Sequence, residues 1–236
     1  FRKHAQQALA RGLAGHVPES WRYADEGASF EVWLTIHGSV AYCGVRLSDR
    51  TMRHRQYKVE HIPASLRPTV AAAMVRLAGV GYEQTVLDPM CGAGTILCEH
   101  IEAGRAGRKR VNVWGGDREI GPLRAAAANL RHCGPALLAR WDACRLPLPP
   151  ACVERITCNP PFGKQLADPE QVAPLYAQAL RECDRVLVPG GRAVFLVMDA
   201  PALRQAARAV GWQTTRQLTV QVLGQRAEIS VWRKPA

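Results

Sequence analysis

Strand-like and helix-like segments alternate along the chain from about His61 to the C-terminus, and this order restricts the fold more than any other feature. Short apolar runs such as TVLDP and RITCNPP are separated by longer segments with apolar residues every three or four positions. Within ASLRPTVAAAMVRLAGV, one helical face carries Leu66, Val70, Met74 and Leu77. Such alternation is typical of right-handed βαβ units. We therefore predict an α/β domain with a doubly wound, mostly parallel sheet of seven strands.

The two ends of the chain depart from this alternation. The last two apolar runs, TTRQLTVQVL and RAEISVWRK, are close in sequence and are predicted to form an antiparallel hairpin at one sheet edge. Near the N-terminus, SFEVWLTIHGSVAYCGVRLS alternates around a turn at residues 37–39 and predicts a separate β-hairpin. We place the domain boundary between residues 60 and 61, so that a small N-terminal unit (1–60) precedes the α/β domain (61–236).

Charge and cysteine content narrow the functional classes. The chain has 31 Lys and Arg against 20 Asp and Glu, and its formal net charge of +11 favours an anionic partner such as nucleic acid. The eight cysteines form no C-x-x-C pair and no zinc-like spacing with histidine, which indicates no metal site and a reduced, cytoplasmic protein. No run approaches the roughly 20 apolar residues that span a membrane, and no signal peptide is recognisable. We favour a monomer.

The turn after the first parallel strand, in VLDPMCGAGT, is the first candidate binding element. Ligands of open α/β sheets bind beyond the carboxyl ends of the strands. Gly92 and Gly94 would let a ligand approach the backbone closely. A dinucleotide fingerprint needs a third glycine three residues later, where Leu97 stands, so the pattern favours a nucleoside without a pyrophosphate. Asp88, just before the turn, suits an ammonium group better than a phosphate.

Two further acids end the next two strands. Asp117 closes VNVWGGD and suits a ribose diol, and Asp142 in LLARWD suits the exocyclic amine of an adenine. Each acid alone is equally typical of a helix N-cap or a solvated strand end. Their order on consecutive strands favours a nucleoside site.

The stretch ITCNPPFGK follows the fourth parallel strand. Pro160 and Pro161 stiffen the backbone, and Asn159 is held in an extended conformation because a proline follows it. The Asn159 side-chain oxygen and the backbone carbonyls here are acceptors for a planar amine, which they would polarise as a methyl group arrives. Phe162 would stack on the base. The alternative is a rigid proline turn without a catalytic role.

These motifs, in the order VLDPMCGAGT, GGD, WD and NPPFGK, resemble those of class I S-adenosylmethionine-dependent methyltransferases that modify exocyclic amines. The segment YCGVRLSDRTMRHRQYKVEHIPASLRPTVAAAMVRLA is similar to that of THUMP-associated RNA methyltransferases, and within them to tRNA guanine-N2 methyltransferases of the Trm14/TrmN type. The resemblance implies a Rossmann-like methyltransferase domain, the cofactor S-adenosyl-L-methionine, an RNA partner, most simply tRNA, and a THUMP-like origin for residues 1–60. A complete THUMP module needs far more than about 60 residues, so we expect this chain to lack most of it.

The resemblance also assigns residues to roles. The implied cofactor-binding residues are Ala64, Ser65, Leu66, Thr69, Asp88, Cys91, Gly92, Gly94, Asp117 and Asp142. The implied catalytic residues are Asn159, Pro160, Pro161 and Phe162. The implied substrate-binding residues are Phe162, Lys164 and Arg226.

Two alternative functions stay open at the level of sequence. Adenine-N6 methyltransferases that act on DNA or rRNA use the same N-P-P-[FY] motif. A catalytically idle S-adenosylmethionine-binding scaffold for RNA is the alternative of another class, although an idle site would have no physical need for Asn159 and its prolines.

Overall fold

The computed structural model describes residues 2–24, 28–46, 54–63, 65–161, 169–222 and 224–236. Its contacts divide the chain into two compact units, Phe1–Met52 and Arg53–Ala236. The second unit begins before the sequence-based boundary at residues 60 and 61. None of the described helices is both long enough and apolar enough to cross a membrane.

The N-terminal unit contains a helix and a hairpin. Helix α1 spans Arg2–Ala14, and strands β1 (Glu31–His37) and β2 (Val40–Arg46) pair antiparallel across a turn at Gly38. The hairpin was predicted from its alternation, whereas α1 was not, because none of its residues is buried and it has no apolar face to reveal it. Both faces of the hairpin expose large apolar side chains: Trp33 and Tyr42 lie on one face, and Ile36 and Val45 on the other.

The C-terminal unit is an open sheet with helices on both faces. Its strands are β3 (Gln84–Asp88), β4 (Val111–Asp117), β5 (Leu137–Arg140), β6 (Val153–Cys158), β7 (Leu187–Val197), β8 (Gln213–Val222) and β9 (Gln225–Arg233). Its helices are α2 (Pro68–Ala78), α3 (Thr95–Ala106), α4 (Ile120–Leu130), α5 (Val172–Val186) and α6 (Ala200–Ala209). The strand order is β5-β4-β3-β6-β7-β9-β8, and the five strands from β5 to β7 are parallel. Strand β9 is antiparallel to both neighbours, which confirms the doubly wound sheet with an antiparallel C-terminal hairpin.

Strand β7 shows how the sheet is buried on both faces. Ala193, Phe195 and Val197 pack in the cluster that contains residues of α5 and α6. Val194 and Leu196 alternate with them and pack with residues of α2 on the opposite face. Full burial of one such large side chain contributes about 1.5–3 kcal/mol. The strand therefore anchors this part of the sheet, and the carboxyl end of its parallel neighbour β6 is held in a fixed position.

Two element boundaries differ from the sequence-based ones. The sequence QVAPLYAQALRECDRVLVPGG (residues 171–191) predicts one continuous helix, but helix α5 ends at Val186, because Leu187 already pairs with Val153 in the sheet. Helix α2 begins at Pro68 rather than near residue 64, since Arg67 is extended, as a residue before proline prefers to be.

Residues 54–63, here called the connecting segment, pack against α3 and α4. The Tyr57 hydroxyl donates to Glu99 Oε1 at 2.7 Å, and Arg55 Nε donates to the same oxygen at 2.8 Å. Further along, Asn129 of α4 hydrogen-bonds the backbone of Glu60. This segment therefore belongs to the C-terminal unit and leads towards the start of α2.

Candidate functional site

The polar residues singled out in the sequence meet at one edge of the sheet. Asp88 is the last residue of β3 and Asp117 is the last residue of β4, its neighbour. Asp142 follows the end of β5 by two residues, and Asn159 directly follows β6. Neighbouring strands lie about 4.8 Å apart, so the four strand ends form one continuous rim. This rim is the position at which open α/β sheets bind ligands.

The turn between β3 and α3, residues 89–94, lies at this rim. We call it the cofactor loop. Gly92 and Gly94 both have left-handed φ angles, 52° and 73°. A Cβ atom on Gly94 would lie 3.0 Å from the Cβ of Ala126 in α4, so glycine is required by space as well as by conformation. The backbone N–H of Cys91 donates to Gly116 O at 2.8 Å, which ties the loop to β4.

Asp117 organises the same loop. Its Oδ2 accepts the Gly92 N–H at 3.0 Å, and its Oδ1 accepts the Glu119 N–H at 3.0 Å. Each carboxylate oxygen has two lone pairs, so each can accept a second bond from a ligand hydroxyl. Asp117 therefore has two functions in the candidate site, to shape the loop and to offer a bidentate acceptor.

Asp88 is the most perturbed acid of the rim. Its side chain is 2% exposed, and burial raises its pKa to about 8, with a smaller contribution from the negative charge of Asp117. The Met90 N–H donates to Asp88 Oδ1 at 3.2 Å and acts in the opposite direction. A buried carboxyl group of this kind gains its charge readily when a cation is placed beside it, as an ammonium group would be.

The catalytic candidate Asn159 carries an unpaired acceptor. Its Oδ1 atom is buried and has no hydrogen-bond partner in the described structure. Buried polar atoms are nearly always hydrogen-bonded, so an orphan of this type calls for an explanation. Pro160 is buried and Pro161 is half-buried, and together they fix the backbone that carries this amide.

The remaining predicted residues fall into four groups. Ser65 Oγ is a second buried atom without a described partner, whereas Leu66 belongs to the apolar core beside α2 and Thr69 is exposed in the first turn of α2. Arg226 is exposed at the start of β9, and the β7–β9 pairing places this end of β9 at the same edge of the sheet as the rim. Asp142 is exposed, and its Oδ1 accepts the Cys144 N–H at 2.8 Å. Ala64, Phe162 and Lys164 lie outside the described residues.

Two residues of the site were missed in the sequence. Trp141 is buried, its indole N–H donates to Pro89 O at 3.0 Å, and its ring fills the space that a Cβ on Gly116 would need. Asn129 is fully buried in α4, and its amide donates to Ala93 O at 2.9 Å. Trp141 stands in the WD motif, where only the aspartate received a role. A single asparagine in the apolar run AAAANL was a detectable anomaly, because it places a polar side chain on an apolar helix face.

Comparison with known proteins identifies relatives of this arrangement. The model of the family described as RMKL-like, methyltransferase domain, matches residues 55–228. A tRNA (guanine(6)-N(2))-methyltransferase THUMP3 from Bos taurus is 29% identical over 238 residues, which are 93% of this chain and 46% of that protein. The chain thus spans about half the length of the curated relatives that it matches first.

Solved structures share the fold. The crystal structure of TrmN from Thermus thermophilus has a TM-score of 0.73 and 29% identity, and the match covers 98% of this chain and 66% of that one. SMU.472, a methyltransferase complexed with SAH, has a TM-score of 0.69 and 17% identity, and the match covers 98% of this chain and 69% of that one. At that level of identity the second likeness shows the fold alone.

Proposed function

Because the chain belongs to the RMKL-like methyltransferase domain family, we propose that it transfers a methyl group from S-adenosylmethionine to the exocyclic N2 amine of a guanosine in tRNA. The named relative from Bos taurus supports this substrate class. The net charge of +11 supports an RNA partner as well.

One observation carries the proposal, the buried and unpaired Oδ1 atom of Asn159 at the end of β6. It is an acceptor held in place by two prolines, one strand away from the acid that ends β3. An exocyclic amine donates two hydrogens, and an acceptor without a protein partner is what such a group would bind.

The residues of the rim fit S-adenosylmethionine. Asp88 matches the ammonium group, Asp117 the ribose hydroxyls and Asp142 the adenine amine, while the left-handed glycines keep side chains out of the cofactor loop. The missing third glycine, replaced by buried Leu97, is consistent with a ligand without a pyrophosphate. Burial keeps the thiol pKa of Cys91 well above its usual range, so this thiol stays uncharged in the cofactor loop.

When bound, S-adenosylmethionine supplies an electrophilic methyl group on sulfur. The chain's own contribution is to position and polarise the amine. The Asn159 side-chain oxygen and the Pro160 backbone carbonyl would accept hydrogen bonds from the two N–H groups of the amine and so draw its lone pair out of conjugation with the ring. Methyl transfer would form the N–C bond and break the methyl–sulfur bond, which leaves a neutral thioether. The two acceptors would stabilise the positive charge that develops on the nitrogen until one of its protons passes to solvent. Phe162 and Lys164 are proposed to hold the base and its phosphate, and Arg226 to contact the target nucleotide.

We further propose that the N-terminal unit, residues 1–52 of the predicted 1–60, is part of a THUMP-like RNA-binding module. The exposed apolar side chains of both hairpin faces support this, since a two-stranded hairpin with uncovered apolar surface is marginal on its own in water. The proposed location is the cytoplasm and the proposed state a monomer. All eight cysteines are free thiols, which fits a reducing compartment.

The test is methylation of unmodified tRNA by the full-length protein, followed by mass spectrometry of the nucleosides. We expect N2-methylguanosine. N6-methyladenosine would replace the proposal with the adenine alternative. Cofactor binding without methylation of any RNA offered would leave only the scaffold function.

A further inference from the structure

Asn129 makes three hydrogen bonds to backbone atoms that belong to two different parts of the chain. Its Oδ1 accepts the Glu60 N–H at 2.8 Å, and its Nδ2 donates to Glu60 O at 3.1 Å. The same Nδ2 group donates to Ala93 O at 2.9 Å. The side chain is 0% exposed. One amide therefore fastens the connecting segment to the cofactor loop.

The cofactor loop and the connecting segment, which we place on two sides of the candidate cofactor site, are both held by the hydrogen bonds of Asn129. Ala93 lies between the two left-handed glycines, so a bond to its carbonyl fixes the orientation of the loop's last peptide units. On the other side, the connecting segment continues from Glu60 to Ile62. The Cδ1 atom of Ile62 lies 3.6 Å from the position that a Cβ atom on Gly92 would occupy. The segment then leads to Ser65 and the start of α2.

The position of Asn129 in α4 is costly unless its bonds are made. Asn129 is the last but one residue of α4, and a buried amide there needs partners for its donors and its acceptor. Its neighbour Leu130 is 4% exposed and packs in the apolar cluster under β3 and β4. A second leucine would satisfy the helix better, so the amide is explained by what it holds.

We propose that Asn129 is a positioning residue for the cofactor, because it locks the connecting segment onto the cofactor loop and so sets the affinity for S-adenosylmethionine. The inference rests on the proposed function, since it assumes that the rim binds this cofactor. It also makes the connecting segment part of the cofactor site.

Two substitutions separate this role from simple packing. Asn129→Asp keeps the size and the acceptor but places a carboxylate oxygen against the carbonyls of Glu60 and Ala93. Asn129→Leu keeps the approximate volume and removes all three bonds. Leu130→Ala is the matched control, because it opens a hole in the apolar cluster beside Asn129 and removes none of the three Asn129 hydrogen bonds.

The measurement is calorimetric titration with S-adenosylmethionine, with thermal unfolding recorded on the same samples. Calorimetric stoichiometry reports the folded fraction, and Kd reports the site itself. Asn129→Asp loses the two donated hydrogen bonds and Asn129→Leu loses all three. For both variants we therefore expect Kd to rise about tenfold or more with stoichiometry near one. In methylation assays, KM for the cofactor should rise while kcat at saturation is largely kept. Leu130→Ala should lower Tm and leave Kd unchanged.

An unchanged Kd in either folded Asn129 variant would overturn the inference, as would a rise in Kd for Leu130→Ala of the same size. A lowered stoichiometry with unchanged Kd would show a purely structural role and would also overturn it. Failure of the proposed function looks different: the wild-type chain would then bind no S-adenosylmethionine, or would bind it and methylate no RNA.

Discussion

We expect Asp88 to make the binding of S-adenosylmethionine depend on pH, in a direction that is unusual for a carboxylate. Burial raises its pKa to about 8, and Asp117 adds a smaller effect of the same sign, so the free protein holds a proton here at neutral pH. An ammonium ligand needs the charged form, so binding must release that proton. At one pH unit below the pKa about a tenth of the molecules are charged, and at two units about a hundredth. We therefore expect Kd for S-adenosylmethionine to fall about tenfold between pH 6 and pH 7.

The assay is calorimetric titration from pH 6 to pH 7.5, a window that stays below the pKa of about 7.7–8.0 of a free α-amino group. In buffers of different ionisation enthalpy, the heats should report release of nearly one proton at pH 6. Asp88→Asn keeps an acceptor for the Met90 N–H but has no charge to gain. Its Kd should be flat across this range. A flat wild-type profile, or an equal slope in the variant, would refute the reasoning.

The stability of the free protein provides a control, because the same pKa shift fixes the direction in which stability changes with pH. A folded-state pKa above the unfolded value means that the unfolded state releases this proton first as pH rises from about 4. The contribution of Asp88 to stability is therefore present at low pH and is lost as pH rises towards about 8. Asp88→Asn should remove this loss. The difference in Tm between the variant and the wild type should therefore shift in favour of the variant as pH rises towards about 8.

Three more predictions test other parts of the site. Asn159→Ala should lower kcat in single-turnover methylation by about 10²–10³ and leave cofactor affinity intact, because it removes an acceptor used in the transition state; near-normal turnover would defeat the mechanism. Asp117→Ala should weaken cofactor binding by about 1–3 kcal/mol in calorimetry, since the Gly92 N–H and the ribose both lose an acceptor; unchanged affinity in a folded variant would remove it from the site. Binding of tRNA should weaken several-fold or more between about 50 and 200 mM salt in a filter-binding assay; a flat response would show that phosphate contacts do not hold the RNA.

The sequence was sufficient where a local pattern and the final structure agree. Period-two and period-3.6 patterns located the strands and helices of the sheet, and the strand-end acids marked its rim because parallel strands all end at one edge. It failed for the C-terminal end of α5, since the pairing of Leu187 with Val153 is a long-range contact that ends the helix. It also failed for α1, which has no buried face.

The contributions of Asn129 and Trp141 could not be derived from sequence for a different reason. Each acts on the backbone of a loop that is far away along the chain, at Ala93 and Pro89. A backbone carbonyl carries no side-chain signature, so nothing in the residue types reveals which amide or indole will bind it. Such contacts become visible only once the fold brings the segments together.

Leu97 also limits how this domain could be redesigned. It is 0% exposed, and its side chain occupies the space that a Cβ on Gly115 of β4 would need. Installing the third glycine of a dinucleotide fingerprint here would delete a whole leucine side chain from the α3–β4 contact, at a cost of at least the roughly 2–5 kcal/mol seen for leucine-to-alanine changes. A larger residue at Gly115 would fill part of the space that Leu97 leaves, so we expect the two positions to be coupled in such a redesign.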